Sequence, residues 1–171
     1  MALRLRLRGK FGKGKYALVS DAKHPKCKRH IWWVRSADGY VATTIKGKVI
    51  ELQNFVMDYE KNDEFLIDHI NGNVLDNTDE NLRIVTTQQN NFNTAVHKDN
   101  KSGLKGVSAF RGKWRVRISV DEKVHSIGVF DDPNLAAKAY DAAARYYFGE
   151  YARLNFPDDP NPPTYEEKYY E

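Results

Sequence analysis

The chain has 171 residues, 41% of them hydrophobic and 29% charged, with a formal net charge of +4. That length supports one ordinary hydrophobic core or two small ones. The single cysteine, Cys27, excludes an intrachain disulfide and a multi-cysteine zinc site, and the charged N-terminus lacks the apolar run of a signal peptide or membrane span, so a cytoplasmic chain without a secretion signal is expected.

The charge is unevenly placed. Residues 1–53 carry 13 Lys/Arg against 3 Asp/Glu, a balance of +10. Residues 54–100 stand at −6, residues 101–156 at +4 and the last fifteen at −4. Two basic modules therefore flank an acidic centre, an arrangement suited to drawing in a polyanion and holding a cation in the middle.

In chain order, Leu3 to Arg8 alternates strictly, so a strand would put leucines on one face and arginines on the other. Gly9 to Lys15 reads as a mobile basic turn, and Tyr16 to Val19 as a short strand. His24 to His30 reads as a polar basic loop whose His and Cys spacing matches no closed metal site. Ile31 to Arg35 is another strand. Tyr40 to Ile45 and Val49 to Leu52 form a hairpin across Lys46, Gly47 and Lys48. Asn54 to Tyr59 has spacing for one or two helical turns, ended by Lys61, Asn62 and Asp63. A strand then runs from Glu64 to His69, and a helix begins near Thr86 or Thr87. Thr94 to Gly103 is polar and aperiodic.

Three further strands follow, Gly106 to Phe110, Lys113 to Val120 and Lys123 to Phe130, separated by two-residue turns. In the middle strand Trp114, Val116, Ile118 and Val120 share one face, while Lys113, Arg115, Arg117 and Ser119 share a cationic one. A helix from Pro133 or Asn134 to about Phe148 has Asp131 or Asp132 as N-cap and Gly149 as C-cap. Its stripe of Ala136, Ala139, Tyr140, Ala143 and Tyr147 is small enough to lie close on a sheet. Leu154 and Phe156 close the module, and a disordered tail is expected from Pro157.

The stretch from Asp68 to Asn93 is a poor recipe for a core. His69 is a natural general base because imidazole titrates near neutrality. Asp68 offers a hard oxygen to Mg²⁺, with Mn²⁺ as the alternative. Asn90 could add a neutral oxygen from the following helix, leaving such an ion open positions for water and phosphate. Asn81, both donor and acceptor, suits pinning the intervening loop and orienting His69. Adjacent strand residues point to opposite faces, so Asp68 and His69 can serve one site only if the strand ends or bends there. Asn71, Gly72, Asn73, Asp76 and Asn77 read as turn-makers.

The run from Asp68 through Asn73, with Leu75-Asp76-Asn77, Glu80 to Thr86 and Gln89-Asn90-Asn91, resembles the HNH endonucleases of the His-Asn-Asn phage and intron kind. The resemblance implies a ββα-metal (His-Me finger) core with one catalytic divalent ion and no zinc. By position it makes His69 the general base, Asp68 and Asn90 the metal ligands, and Asn81 the structural asparagine. The chain departs from many relatives at Leu52 to Met57, where it lacks a histidine. Residues 103–156 resemble the Apetala/ethylene-responsive-factor DNA-binding domain, carried by Gly106-Val107, Gly112-Lys113-Trp114, Ile127 to Phe130, Ala136 to Asp141 and Leu154-Asn155-Phe156. Matching positions imply DNA contacts from Lys105, Ser108, Arg111, Lys113, Arg117, Ser119 and Ser126, to which strand parity adds Arg115. Val124 and Ser126 stand where that family has Arg and Trp, so base specificity does not carry over.

The expected class is α+β: a ββα-metal nuclease core with an N-terminal β-rich extension, plus a three-stranded antiparallel sheet packed on one helix. The expected divisions are a basic extension over 1–53, a nuclease core over 54–94, a linker over 95–103, the second domain over 104–156 and the tail over 157–171. The expected activity is that of a monomeric, metal-dependent homing-type endonuclease on double-stranded DNA, in a bacterial or phage-infected cell. A catalytically inactive DNA-binding regulator is the alternative. The basic N-terminal segment is expected to add DNA backbone contacts.

Overall fold

The structure is a computed structural model and describes residues 1–60, 62, 64–94, 96 and 99–165. The chain divides into two compact units, Met1–Asn90 and Asn91–Glu171. No helix among the described residues is long and apolar enough to cross a membrane.

The first unit is built on a six-stranded sheet. In chain order its strands are β1 (Ala2–Arg8), β2 (Tyr16–Ser20), β3 (Trp32–Val34), β4 (Val41–Ile45) and β5 (Lys48–Glu51). The strand β6 (Phe65–His69) belongs to a second, two-stranded sheet, and β7 (Asp76–Asn77) completes the first, in the order β5-β4-β3-β1-β2-β7. The alternation in β1 works as expected: Leu5 and Leu7 are buried while Arg4, Arg6 and Arg8 are exposed. The β4–β5 turn places Lys46 at φ 48° and Gly47 at φ 77°, the left-handed pair that matches hairpin twist.

Three short helices interrupt these strands. α1 (Gly9–Gly12) and α2 (His24–Cys27) occupy segments read from sequence as a turn and a loop. Four-residue helices leave no periodicity to detect. Burial supplies the reason for the second: Cys27 is fully buried, and its carbonyl accepts a 2.8 Å hydrogen bond from Trp32 Nε1. α3 (Leu52–Val56) starts earlier than the apolar spacing suggested, because Leu52 and Val56, four apart, both enter the core.

One core joins the 1–53 segment to the chain beyond it, running from Leu5, Trp32 and Val41 to Ile67 and Leu82. β7 also pairs in parallel with β2, Val19 opposite Asn77. The basic segment is thus part of the unit that carries the His-Asn-Asn stretch. The two-stranded sheet pairs β6 with β8 (Leu82–Thr86), and α4 (Thr87–Phe92) comes directly after it. That is the β-β-α order of the expected core.

The second unit is a three-stranded antiparallel sheet, β9 (Val107–Phe110), β10 (Lys113–Val120) and β11 (Lys123–Phe130), with α5 (Pro133–Phe148). Both turns carry consecutive positive φ residues, Arg111-Gly112 and Asp121-Glu122. Asp132 Oδ1 caps α5 by accepting from the Asn134 and Leu135 amides at 2.7 and 2.9 Å. Ala136, Ala137, Ala143, Ala144 and Tyr140 pack on Val107, Val116 and Ile118. At Gly106, φ 73°, a Cβ would run into the Tyr140 ring, so only glycine lets the chain pass.

Asp141, 2% exposed, closes this unit. Its oxygens accept from the amides of Asn155 and Phe156, both at 2.8 Å, and from Asn155 Nδ2. Asn155 Oδ1 in turn accepts from the Lys105 amide at 2.7 Å. Within the expected linker, Ser102 Oγ bonds to the Val107 and Leu104 carbonyls, tying that residue to the start of β9, while 95, 97 and 98 lie outside the described residues. The expected disordered tail is also ordered at its start: Asp159 pairs with Lys138 at 2.8 Å and Tyr165 packs on the core. Residues 166–171 lie outside the described residues.

Candidate active site

β6 ends at His69, and the next turn is closed by the Gly72 amide donating to the His69 carbonyl at 2.8 Å. Register fixes the neighbours. Asp68 stands opposite Arg83 and His69 opposite Leu82. The Arg83 guanidinium donates to Asp68 Oδ2 from Nε at 3.0 Å and from Nη2 at 2.8 Å, with both side chains largely buried. This pair was invisible in the sequence, because fifteen residues separate the partners and only the strand register makes them neighbours.

His69 is 3% exposed. Its Nε2 lies 3.3 Å from Asn77 Oδ1, and the Tyr40 ring centroid lies 5.9 Å from its own. Asn77 is fully buried, and its Nδ2 donates to the Val74 carbonyl at 3.2 Å. A carbonyl can only accept, so this second bond fixes which way the amide points and turns Oδ1 to the imidazole. An amide oxygen likewise only accepts, so Nε2 carries the proton and, in neutral imidazole, Nδ1 carries the lone pair. Burial pushes the His69 pKa below its ordinary value, opposed by the Asn77 bond and by the charges of Asp68, Asp76 and Glu51. The ring is therefore neutral at pH 7, the form a base requires.

Asn81 is also buried, but its bonds go elsewhere. Its Oδ1 accepts from the Asn71 amide at 2.9 Å and its Nδ2 donates to the Asp76 carbonyl at 2.7 Å. It clamps both ends of the loop between β6 and β7. Inside that loop Asn71, Asn73 and Asp76 accept from backbone amides two residues on, as turn-making side chains do. Asn77 was grouped with them in the sequence; the structure makes it the one that reaches His69.

Asn90 lies one turn into α4 and is half-buried. The helix start is held by a reciprocal cap: the Thr86 amide donates to Gln89 Oε1 at 2.9 Å and the Gln89 amide to Thr86 Oγ1 at 3.2 Å. The Asn90 side chain forms no hydrogen bond with a described residue, which leaves its amide oxygen open to a ligand. Among the described residues no group of three or more His, Cys, Asp or Glu could enclose a metal. Asp68 and Asn90 are oxygen donors of the type a hard divalent cation takes, and Arg83 already occupies Oδ2 of Asp68.

A further wall comes from residues the sequence did not single out. Arg35 pairs with Asp38 and, at 2.8 Å, with Glu51, while its guanidinium lies 5.7 Å over the Tyr40 ring. Burial, with Glu51, Asp38 and Asp68 nearby, pushes the Tyr40 phenol up. Gln53, in the segment where relatives have a histidine, is buried and donates to Glu51 at 2.8 Å.

In the second unit, register puts Ser108 opposite Arg115 and Ser126 opposite Arg117, on the face shared by Lys113 and Ser119. A bulge at Ile127 makes this possible; unbroken pairing would have turned Ser126 to the core face. Arg115 and Arg111, from the turn, lie 4.7 and 5.3 Å from the Phe110 ring, and Lys113 pairs with Asp131 at 2.9 Å. Lys105 is not on this face. Its Nζ donates to the Phe92 and Thr94 carbonyls, both at 2.8 Å, and burial lowers its pKa to about 8.

The HNH endonuclease family profile matches residues 59–92, spanning β6, β7, β8 and α4. A protein of Acanthamoeba polyphaga mimivirus described as an uncharacterized HNH endonuclease is 31% identical over 148 residues, covering 84% of this chain and 76% of its own. Protein 3.8 of Escherichia phage T7 is 35% identical over 92 residues, covering 53% of this chain and 75% of its own. No solved structure matches the chain. The chain belongs to the HNH endonuclease family. It is a nuclease.

Proposed function

We propose that the chain is a site-specific, homing-type DNA endonuclease that hydrolyses a phosphodiester bond with one divalent ion, Mg²⁺ or Mn²⁺. The observation that carries this reading is the buried, neutral His69 with its Nε2 proton directed to Asn77, which leaves Nδ1 as the base.

Asp68 and Asn90 would hold the ion, which when bound supplies positive charge to the scissile phosphate and the leaving oxygen. His69 Nδ1 takes the proton of the attacking water. Asn77 keeps the imidazole in the tautomer and orientation that this step needs, and stabilises the imidazolium that forms. Asn81 holds the β6–β7 loop and through it the end of the strand bearing His69. Arg83 orients the Asp68 carboxylate by bonding Oδ2.

The second unit is a DNA-holding module of Apetala/ethylene-responsive-factor type, using Ser108, Arg111, Lys113, Arg115, Arg117, Ser119 and Ser126. Lys105 supports that module as a cap on the carbonyls of Phe92 and Thr94. Incubating the protein and Mg²⁺ with random-sequence duplex DNA and mapping the ends tests the reading. Cuts at one recurrent sequence support it. Cuts without sequence preference would remove site specificity, and intact DNA would remove the activity.

A further inference from the structure

Two recesses of the first unit meet on β1. One, of about 410 Å³, is lined by Arg4, Arg6, Arg8, Lys28, His24 and His30 together with apolar residues. The other, of about 330 Å³, shares Arg6 and Arg8 and adds Lys10 and Lys13. No carboxylate lines either one. Four other cations of this unit have acids beside them: Lys23 and Lys26 with Asp58, Arg35 with Asp38 and Glu51, Arg83 with Asp68. Arg4, Arg6, Arg8, Lys10, Lys13 and Lys28 form no ion pair with a described residue.

The backbone explains the shape. β1 pairs with β2 from Ala2 to Arg6 but with β3 only at Leu7 and Arg8. Beside the earlier half of β1 runs the α2 segment instead, tied on by a 3.3 Å contact between His24 Nε2 and the Arg4 carbonyl. Alternate residues of a strand lie about 6.6 Å apart, a spacing comparable to that of neighbouring phosphates along one nucleic-acid strand. Three like charges at that spacing, with no acid among them, repel one another unless a polyanion lies across them.

We propose that this carboxylate-free track binds the phosphate backbone of duplex DNA, with Arg4, Arg6 and Arg8 taking successive phosphates of one strand. The choice of DNA among polyanions rests on the nuclease function proposed for the His69 site. The recessed, linear form of the track fits a phosphodiester ridge and not the flat headgroup layer of a membrane.

The test is duplex binding by fluorescence anisotropy across a salt series in chelator, where nothing is cut. Arg6→Ser/Arg8→Ser is compared with the charge-matched Lys46→Asn/Lys48→Ser at the far hairpin, with thermal melts to confirm folding. Loss of two phosphate contacts lowers the slope of log K against log salt by about 1.8 and weakens low-salt binding by about 10- to 100-fold, while the control pair leaves both unchanged. If the first pair does not fold, Arg4→Ser/Lys28→Ser is read the same way. Equal losses in both charge-matched pairs, or none in the β1 pair, overturn the track. So does binding to anionic phosphatidylserine vesicles that the β1 pair abolishes while duplex binding is retained. Wild-type protein that binds DNA but never cuts it on addition of Mg²⁺ overturns the nuclease reading and leaves the track standing, and cutting with an unchanged slope in the β1 pair does the reverse.

Discussion

Replacing Asn77 with alanine removes the two bonds that fix the His69 ring. The His69 Nε2 proton loses its acceptor at 3.3 Å and the Val74 carbonyl loses its donor at 3.2 Å, at a position with no solvent to replace either. A net hydrogen bond is worth about 0.5–1.5 kcal/mol and an unsatisfied buried group costs about 1–3 kcal/mol. Folding stability should therefore fall by about 2–4 kcal/mol. The part felt in the transition state, where imidazolium forms, is about 1.5–3 kcal/mol, or roughly 10- to 100-fold in kcat. Asn77→Asp separates the roles: its carboxylate still accepts from Nε2 but favours imidazolium, so the acid limb of the pH profile moves up. The assay is single-turnover nicking of supercoiled plasmid at several pH values, with a thermal melt of each variant. A folded Asn77→Ala protein with wild-type kcat and pH profile would refute the orienting role.

The remaining predictions concern the same site and the closure of the second unit. Burial holds the His69 pKa below its ordinary 6.5, so the midpoint of the acid limb of cleavage should lie below that value; single-turnover rates from pH 5 to 8 locate the limb, and a midpoint above 6.5 contradicts the burial argument. Stability has the same sign: the unfolded chain binds the His69 proton first, so stability from this group is present above 6.5 and is lost as pH falls through the folded value. Arg83→Met leaves Asp68 buried without its cation and should cost about 3–5 kcal/mol, most of it recovered when Asp68→Asn is added, as a double-mutant cycle by urea unfolding will show. Asp141→Ala frees the chain at Asn155 and Phe156 and should lower the stability of the second unit by about 3 kcal/mol, read by hydrogen exchange at β9–β11 against unchanged protection in β6 and β8.

Much of the second unit was legible because every level agreed. Strict alternation in Lys113 to Val120, two-residue turns on both sides, and an Asp132–Pro133 start with a Gly149 stop define three strands and a helix almost to the residue. The Asp68-His69 strand end and the helix start after Thr86 were legible for the same reason. What stayed hidden depends on partners remote in sequence. Arg83 meets Asp68 only through the β6–β8 register, and Ser126 reaches the cationic face only through a bulge. Asn77 looked like one more turn residue among Asn71, Asn73 and Asp76. Its difference is burial beside β2, which its own stretch does not encode. Lys105 looked like one more basic contact until its ammonium was found between two carbonyls. The two four-residue helices escaped because they are too short to show a period.

Plasmid cleavage tests most directly whether His69 acts as the base of a metal-dependent nuclease. Wild-type protein with Mg²⁺ should convert supercoiled DNA to nicked or linear form, and chelator or His69→Ala should each abolish it while the variant still binds duplex. Cleavage that persists in His69→Ala would show that His69 is not the base.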